Sequence, residues 1–149
     1  MSADEKINLK LIGNNQEDLK VISAYLQDSI LIVKDIVFLK HNRTFVMIVN
    51  RFMWEDVEKG VFRQNKRIRC AVKFEEVIKV ESKNINQKNK NKPLECLAIK
   101  CGSIVNGTYK IKIFFAGNSR ISLIVEVIEA ALHDLGQPWH VKNIPIHKI

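Results

Sequence analysis

A regular alternation of apolar and charged side chains runs through residues 66–80, KRIRCAVKFEEVIKV. Successive side chains of a β-strand point to opposite faces, so this pattern predicts a strand with one dry face and one charged face. Glu76 and Val77 break the alternation, and we therefore predict a bulge or an interruption of strand pairing at Glu75 and Glu76. The apolar members occupy even positions: Ile68, Cys70, Val72, Phe74, Ile78 and Val80.

A helical pattern precedes this strand in residues 16–27. Leu19, Ile22 and Leu26 lie three and four positions apart, which places them on one face of a helix. Asn15 stands immediately before the segment, where its side chain can accept a hydrogen bond from the first turn. We predict an amphipathic helix over Gln16–Gln27, with Asn15 as its N-cap.

The segment EVIEAALHDLG, residues 126–136, has a similar composition. We predict a second short helix that Gly136 ends as a C-cap, with Pro138 just beyond. The octets VISAYLQD at Val21 and VIEAALHD at Val127 share five of eight residues. Chance similarity between two amphipathic helices is the favoured explanation, and an old duplication of a strand-and-helix unit is the alternative.

The other apolar runs are short and are separated by polar turns, which is typical of antiparallel strands. The chain of 149 residues has the size of one domain, so we predict a single domain over 1–149. The predicted fold class is α+β: a curved, mostly antiparallel sheet or sandwich of seven to eight strands, with one helix near the N-terminus and one at the C-terminus. The stretch at about 82–92 lacks apolar periodicity and is predicted to be a mobile loop.

The three cysteines, Cys70, Cys96 and Cys101, each lie in an apolar stretch. Their odd number argues against a disulfide framework and favours a reducing compartment. The N-terminus lacks the features of a signal peptide, and no apolar run approaches the ~20 residues of a membrane-spanning helix. We therefore expect a soluble, cytoplasmic protein that does not contact a membrane.

The net charge of +8 is concentrated in one part of the chain. Residues 61–92 contain ten basic and three acidic residues, a balance of +7. Arg63, Lys66, Arg67 and Arg69 are candidate contacts to nucleic-acid phosphates, in a complex that would be weak and sequence-blind because few aromatic side chains accompany them. The competing explanation is the bias toward Lys, Asn and Ile that an AT-rich genome produces at tolerant surface positions.

No motif in the sequence indicates catalysis, a cofactor or a metal. The chain contains none of GxSxG, GxxxxGK and GxGxxG. His133, His140 and His147 recur every seven residues, but this spacing crosses the predicted helix end and two prolines, so a shared metal is not expected. We predict a protein that is not an enzyme, with no catalytic residue, cofactor or metal ion.

The stretch FVMIVNRFMWED is apolar on both faces at first and then ends in polar and aromatic residues. In a structural interpretation, Arg51 pairs with the acidic residues that follow it and Trp54 covers the edge of the core. In a functional interpretation, Arg51, Trp54 and Glu55 form a binding rim, because Trp and Arg are enriched at interaction hot spots. We favour the structural interpretation, with Trp54 at the core edge and Arg51 reaching the surface. Trp139 has the same two interpretations.

Several stretches resemble a family of short alphaproteobacterial proteins of unknown function. The most specific are DLKVISAYLQD, NRFMWE and IEAALHDLGQPW, and the resemblance covers most of the chain. It implies a cytoplasmic single-domain protein and brings no activity with it. The Arg-rich strand of the family matches Lys66, Arg67 and Arg69, whereas the loop Lys83–Lys92 departs from the family's pattern.

These observations favour a non-enzymatic cytoplasmic binding or adaptor domain with an unknown protein partner. A weak, sequence-nonspecific nucleic-acid-binding module is the alternative, and homo-oligomerisation is left open. The candidate binding residues are Arg51, Trp54, Glu55, Arg63, Lys66, Arg67, Arg69 and Trp139.

Overall fold

The computed structural model describes residues 9–54, 66–102 and 105–141. Within these ranges the chain forms ten β-strands and one α-helix, with short 3-10 helices at Val33–Asp35 and Lys40–Asn42. The elements in chain order are β1 (Lys10–Gly13), α1 (Gln16–Leu26), β2 (Ile30–Ile32), β3 (Ile36–Leu39), β4 (Thr44–Phe52), β5 (Lys66–Phe74), β6 (Val77–Lys83), β7 (Pro93–Cys101), β8 (Tyr109–Phe115), β9 (Ser119–Val125) and β10 (Ala130–His140).

All ten strands belong to one antiparallel sheet. The strand order is β1-β10-β5-β4-β2-β7-β8-β9-β6, and β3 pairs with the first half of β4. The prediction of seven to eight strands and two helices is therefore wrong, although the antiparallel pairing is as expected. None of the helices within the described ranges combines the length and the apolar character needed to cross a membrane.

The C-terminal helix of the sequence prediction is in fact strand β10. This strand lies between β1 and β5 and pairs with both. Ala130, Leu132 and Asp134 are buried and His133 is exposed, so the segment follows a period of two. Ala and Leu favour helices in isolation, but that preference amounts to less than about 1 kcal/mol per residue and tertiary context readily overrides it.

Gly136 is consequently not a helix C-cap. It lies where the pairing of β10 with β5 shifts register between Leu135 and Trp139, and its φ is 69°. Only glycine adopts this left-handed conformation without steric cost, so Gly136 marks a bulge in the strand. The bulge places Trp139 opposite Arg67 in the resumed pairing.

Helix α1 matches its prediction closely. The Asn15 side chain accepts a hydrogen bond of 2.8 Å from the Asp18 backbone N–H, as expected of an N-cap. Leu19, Ile22 and Leu26 are buried. The N-terminal boundary and the buried face of this helix were therefore predictable from local sequence.

The alternation is confirmed over Lys66–Phe74, and its interruption at Glu75 and Glu76 is a corner in the chain. Beyond the corner the prediction is wrong at Ile78, which is exposed, whereas Val77 is buried. Strand β5 ends at Phe74, Glu76 has a φ of 55°, and β6 begins at Val77. β5 pairs with β4 and β10, whereas β6 pairs with β9. Glu75 and Glu76 thus carry the chain from one half of the sheet to the other.

The stretch predicted to be a mobile loop begins inside β6. Residues 84–92 connect β6 to β7 and are mostly exposed. One backbone hydrogen bond ties this connection to the rest of the domain, from Lys34 N–H to the Lys90 carbonyl at 2.9 Å. The mobility of the connection stays a prediction.

The core contains buried apolar side chains from α1 and from both halves of the sheet. We call the side of β1, β10, β5, β4 and β3 that contributes to this core the inner face, and the opposite side the outer face. Directly opposed residues of an antiparallel pair point to the same side. The basic residues Arg67, Arg69 and Lys73 of β5 therefore share the outer face with their register partners on β4 and β10.

Replacing Gly136 with Ala should destabilise the domain by about 1–2 kcal/mol, because a Cβ atom is strained at positive φ. Gly102→Ala is the matched control: its Cβ would meet the Lys110 carbonyl oxygen at an ordinary 3.8 Å, and its φ is not in the left-handed region. We expect the control to remain within about 0.5 kcal/mol of the parent. Equal free energies of unfolding for both variants, measured by urea titration, would contradict the bulge.

Candidate functional site

Arg51 is the first residue of the predicted binding rim, and it is completely buried, with 0% exposure. Its Nε and Nη2 atoms each donate a 2.8 Å hydrogen bond to a different carboxylate oxygen of Asp134. Such bidentate, charge-assisted pairing is among the strongest polar contacts in proteins. The expectation that Arg51 reaches the surface is therefore wrong: its position on the inner face directs the guanidinium into the domain.

The Arg51–Asp134 pair spans strand β5. Asp134 of β10 is the register partner of Cys70, and Arg51 of β4 is the register partner of Ile68. The Leu9 backbone N–H also donates to Asp134 Oδ2 at 3.2 Å, and the Asp134 N–H donates to the Leu9 carbonyl at 2.9 Å. One buried ion pair thus connects β4, β10 and the segment that leads into β1.

Tyr25 of α1 contributes an aromatic ring to the same site. The Arg51 Cζ atom lies 5.5 Å from the centre of that ring, within the range of a cation–π contact. The helix is thereby connected to the ion pair through its last turn. The acidic residues after Trp54, which the sequence suggested as partners of Arg51, lie outside the described residues.

Cys70 is buried beside this ion pair. Burial raises the pKa of its thiol to about 12, and the nearby Asp134 carboxylate acts in the same direction, while Arg51 partly opposes them. Burial likewise raises the pKa of Cys96 to about 12, with a further contribution from Asp28. Both thiols are neutral at physiological pH, which makes them poor nucleophiles and poor metal ligands.

Four other residues form what we call the Arg67 cluster: Phe52, Trp54, Arg67 and Trp139. Arg67 is opposite Phe52 on β4 and opposite Trp139 on β10, so the three form a row across the outer face. The Arg67 Cζ atom lies 5.8 Å from the Phe52 ring centre, and the Trp54 ring packs edge-on against Phe52 with centroids 4.7 Å apart. The cluster brings together three of the predicted binding residues.

Two members of the cluster are held by backbone carbonyls. Arg67 Nη1 donates to the carbonyls of Asp28 and Asn50 at 3.1 and 3.0 Å, and Trp54 Nε1 donates to the Gln27 carbonyl at 2.9 Å. Partial burial lowers the pKa of Arg67, although the charge of Asp28 opposes that shift. An arginine remains protonated in any case, so Arg67 contributes a fixed positive charge to the outer face.

The remaining predicted residues have different positions. Arg69 is exposed on the outer face, one row from the Arg67 cluster, and Trp139 is 40% exposed. Lys66 lies one residue from Arg67, so its side chain is on the opposite side of β5. Its backbone carbonyl accepts a hydrogen bond from the Met53 N–H at 2.8 Å. Glu55 and Arg63 lie outside the described residues.

Metal-ligating residues do not converge in the part of the chain that the structure describes: it contains no group of three or more His, Cys, Asp or Glu side chains suited to an ion. His133 and His140 are exposed on β10. The bulge at Gly136 lies between them, and they pair with residues on opposite sides of β5. The two imidazoles therefore do not face the same side of the sheet. His147 lies outside the described residues.

Sequence reasoning missed Asp134 and the apolar residues of the outer face. Asp134 fell within the predicted C-terminal helix, yet the alternation of Ala130, Leu132 and Asp134 was a usable signal of a strand. Arg51 on an otherwise apolar strand was the complementary signal, because a buried arginine requires a charged partner. Ile12 and Leu39 could not be assigned to the outer face without the pairing register.

Removing either partner of the ion pair should destabilise the domain strongly. Arg51→Met or Asp134→Leu leaves one buried charge without its partner and should each cost about 3–5 kcal/mol, while the double variant should be more stable than either single variant. Glu17→Leu and Lys20→Met alter an exposed ion pair and should each cost no more than about 1 kcal/mol. Denaturant unfolding measures these costs. If Arg51→Met or Asp134→Leu destabilised the domain no more than the variants of the exposed pair do, the structural role of the buried ion pair would be contradicted.

The cysteines should differ in reactivity. Iodoacetamide at mildly alkaline pH should modify the half-buried Cys101 first and should reach Cys70 and Cys96 only after unfolding, because thiolate is the reactive form. Peptide mapping by mass spectrometry resolves the three sites, and the unfolded protein serves as the control for complete labelling. Modification of native Cys70 at the same rate as Cys101 would contradict the burial of this thiol.

Comparison with known proteins gives one match. A family model for proteins of unknown function, DUF2948, matches residues 9–147. No curated protein and no solved structure matches the chain. The matched region includes every described strand, the helix, the buried Arg51–Asp134 pair and the Arg67 cluster. The chain therefore belongs to the family described as "Protein of unknown function (DUF2948)".

Proposed function

We propose that the chain is a non-catalytic binding domain that recognises a partner protein through the outer face of its sheet. The observation that carries this proposal is the exposure of large apolar side chains on that face. Ile12 is 63% exposed and Leu39 46% exposed, and Trp139 adds a half-exposed indole. These side chains are spread over one face of the sheet from β1 to β3, and exposed apolar surface of this kind is used by many protein interaction sites.

Strand pairing arranges the outer face in rows. Ile12 of β1 is opposite Ala131 of β10, which is opposite Lys73 of β5, and Val46 of β4 completes this row. Trp139 of β10 and Arg67 of β5 form a second row, which ends on β4 at the fully buried Phe52. Paired strands hold these side chains at fixed spacing, so a partner would meet a largely preformed surface.

The charge of this face favours an acidic partner. Lys10 and Arg69 are exposed on it, and Arg67 contributes a third positive charge. Lys73 is paired with Glu75 at 3.1 Å, at the end of β5. None of the outer-face positions of β1, β10, β5, β4 and β3 is acidic. Complementary charge would steer a partner with Asp or Glu around an apolar centre.

The state of the two buried thiols argues against cysteine-based catalysis. Cys70 and Cys96 are the cysteines closest to buried charge, and the raised pKa of each suppresses the thiolate that catalysis would require. Free buried thiols are also typical of proteins from reducing compartments, which supports the cytoplasm as the proposed location.

A second candidate function is weak, sequence-nonspecific binding of nucleic acid. The half-exposed Trp139, which is opposite Arg67 in the strand pairing, favours it, because a base could stack on the indole while a basic residue of this face approaches a phosphate. The apolar side chains at Ile12 and Leu39 have no role in such a complex. We therefore rank nucleic acid below a protein partner.

Site-specific photocrosslinking in native cells tests the proposal. Benzoylphenylalanine at Ile12 should capture one acidic protein, identified by mass spectrometry, whereas the same probe at Leu97 of β7, which is also apolar and is 43% exposed, should not. Arg69→Glu should lower the crosslink yield from Ile12 about tenfold, equivalent to about 1.4 kcal/mol. Lys110→Glu, on β8, is the matched control and should leave the yield unchanged.

Three results would overturn this proposal. The same products from Ile12 and Leu97 would mean that the outer face has no selectivity. A crosslinked dimer of the chain would identify the occupant as a second copy. A nuclease-sensitive product would identify nucleic acid as the partner.

Salt dependence tests the second candidate separately. Fluorescence anisotropy with a labelled single-stranded RNA should give binding that weakens steeply with salt, and Arg69→Ala should reduce the log–log slope by about 0.7. Trp139→Ala should lower affinity without changing that slope, because it removes stacking and no charge. Binding that is insensitive to salt, or unaffected by Trp139→Ala, would exclude this use of the Arg67 cluster.

A further inference from the structure

A slot with a volume of about 560 Å³ lies between β3 and β6, away from the Arg67 cluster. In the described residues, β3 pairs only with β4 and β6 pairs only with β9. One edge of each strand is therefore without a strand partner in this region. The volume is within the range of about 300–1,000 Å³ that is typical of small-molecule sites.

Backbone hydrogen bonds close the slot at both ends. The Val77 N–H at the start of β6 donates to the carbonyl of Arg43, which follows β3, at 2.8 Å. The Lys34 N–H just before β3 donates to the Lys90 carbonyl after β6, at 2.9 Å. The slot is consequently a bounded site rather than an open channel along the two strands.

The slot is apolar toward the Val77 end. Phe45 is a buried member of the core, and Phe38 and Val80 are partly buried against it. Phe38 and Phe45 are register partners in the hairpin that leads to Arg43, which places both rings near this end. A ligand here would cover apolar surface that is adjacent to the domain core.

The opposite end carries the polar and positively charged side chains, next to the apolar Val33, Ile85 and Ile121. Lys34 and Lys90 meet there through their backbones, and Gln87 Nε2 donates to Ser82 Oγ at 3.0 Å beside them. Among the described residues, none that lines the slot is acidic. Neither Lys34 nor Lys90 forms an ion pair with another residue in the described ranges. Two lysines without a carboxylate partner favour an anion at this end.

We propose that the slot binds a small amphipathic anion, with an unbranched apolar chain over Phe38, Phe45 and Val80 and a carboxylate or phosphate head between Lys34 and Lys90. The division of the slot into an apolar end and a cationic end matches this chemistry. An extended peptide is disfavoured, because the hydrogen bonds at Arg43 and Lys90 close the ends through which its chain would pass. The ligand is a soluble small molecule, independent of the outer-face partner.

Titration with decanoate, followed by two-dimensional NMR, tests the proposal directly. Decanoate below its micelle concentration should shift the amide resonances of Val80, Ser82 and Lys90, and those shifts should saturate. Decanol, with the same chain and no charge, should bind at least about tenfold more weakly. Octyl phosphate should bind as decanoate does, because the lysines recognise the charge of the head.

Charge reversal in the slot provides the matched variants. Lys34→Glu combined with Lys90→Glu should weaken decanoate binding at least about tenfold. Lys100→Glu combined with Lys110→Glu changes the same net charge at exposed positions on β7 and β8 and should leave binding unchanged. Ser82→Trp, at an exposed position on the rim, should block the slot and abolish the shifts. Thermal melts establish that each variant is folded.

Several results would overturn the proposal. They include saturable decanoate binding that the slot variants do not weaken, equal affinity for decanol, and no decanoate binding at millimolar concentration. Binding to anionic vesicles without binding to monomeric decanoate would identify a membrane surface instead. Shifts along both β3 and β6 with an acidic peptide, and none with decanoate, would identify strand insertion.

Discussion

The buried ion pair between Arg51 and Asp134 is the interaction on which the rest of this structure depends. It joins residues 83 positions apart in the chain and spans the central strand β5. Removing charged groups from water is costly, so each is stable in the core only while the other is present. Asp134 thereby sets the position of β10 against β5, and the bulge at Gly136 then places Trp139 opposite Arg67 on the other side of the sheet. A contact in the core determines the arrangement of residues at the surface.

Local sequence predicted the elements whose determinants are local. The cap at Asn15, the buried stripe of α1 and the dry face of β5 follow from side-chain spacing alone, as does the corner near Glu76. The octets at Val21 and Val127 show the limit of such reasoning, because they share five of eight residues and yet the first is helical and the second leads into β10. The second is converted to strand by pairing with β1 and β5, which no local pattern contains. The same non-local contact explains why the position of Arg51 was predicted wrongly.

The two proposed sites use different consequences of the same sheet. On the outer face, paired strands present apolar and basic side chains in rows, which suits a broad contact with another protein. Between β3 and β6 the pairing is missing among the described residues, and the resulting slot suits a ligand that fills space. Positive charge is present at both, at Arg69 and at the pair Lys34 and Lys90. Arg69 and Lys90 both belong to the basic stretch 61–92 of the sequence, and they lie on separate surfaces.

The central claim is that Arg51 is a buried structural residue and that recognition occurs elsewhere. Hydrogen exchange of the arginine Nε–H groups, followed by NMR and assigned through bonds to each backbone, tests this claim most directly. Nε–H of Arg51 is held by Asp134 in the core, so it should exchange at least about a hundredfold more slowly than that of the exposed Arg69. Exchange of Arg51 at the rate of Arg69 would mean that its guanidinium meets solvent, and would contradict the account.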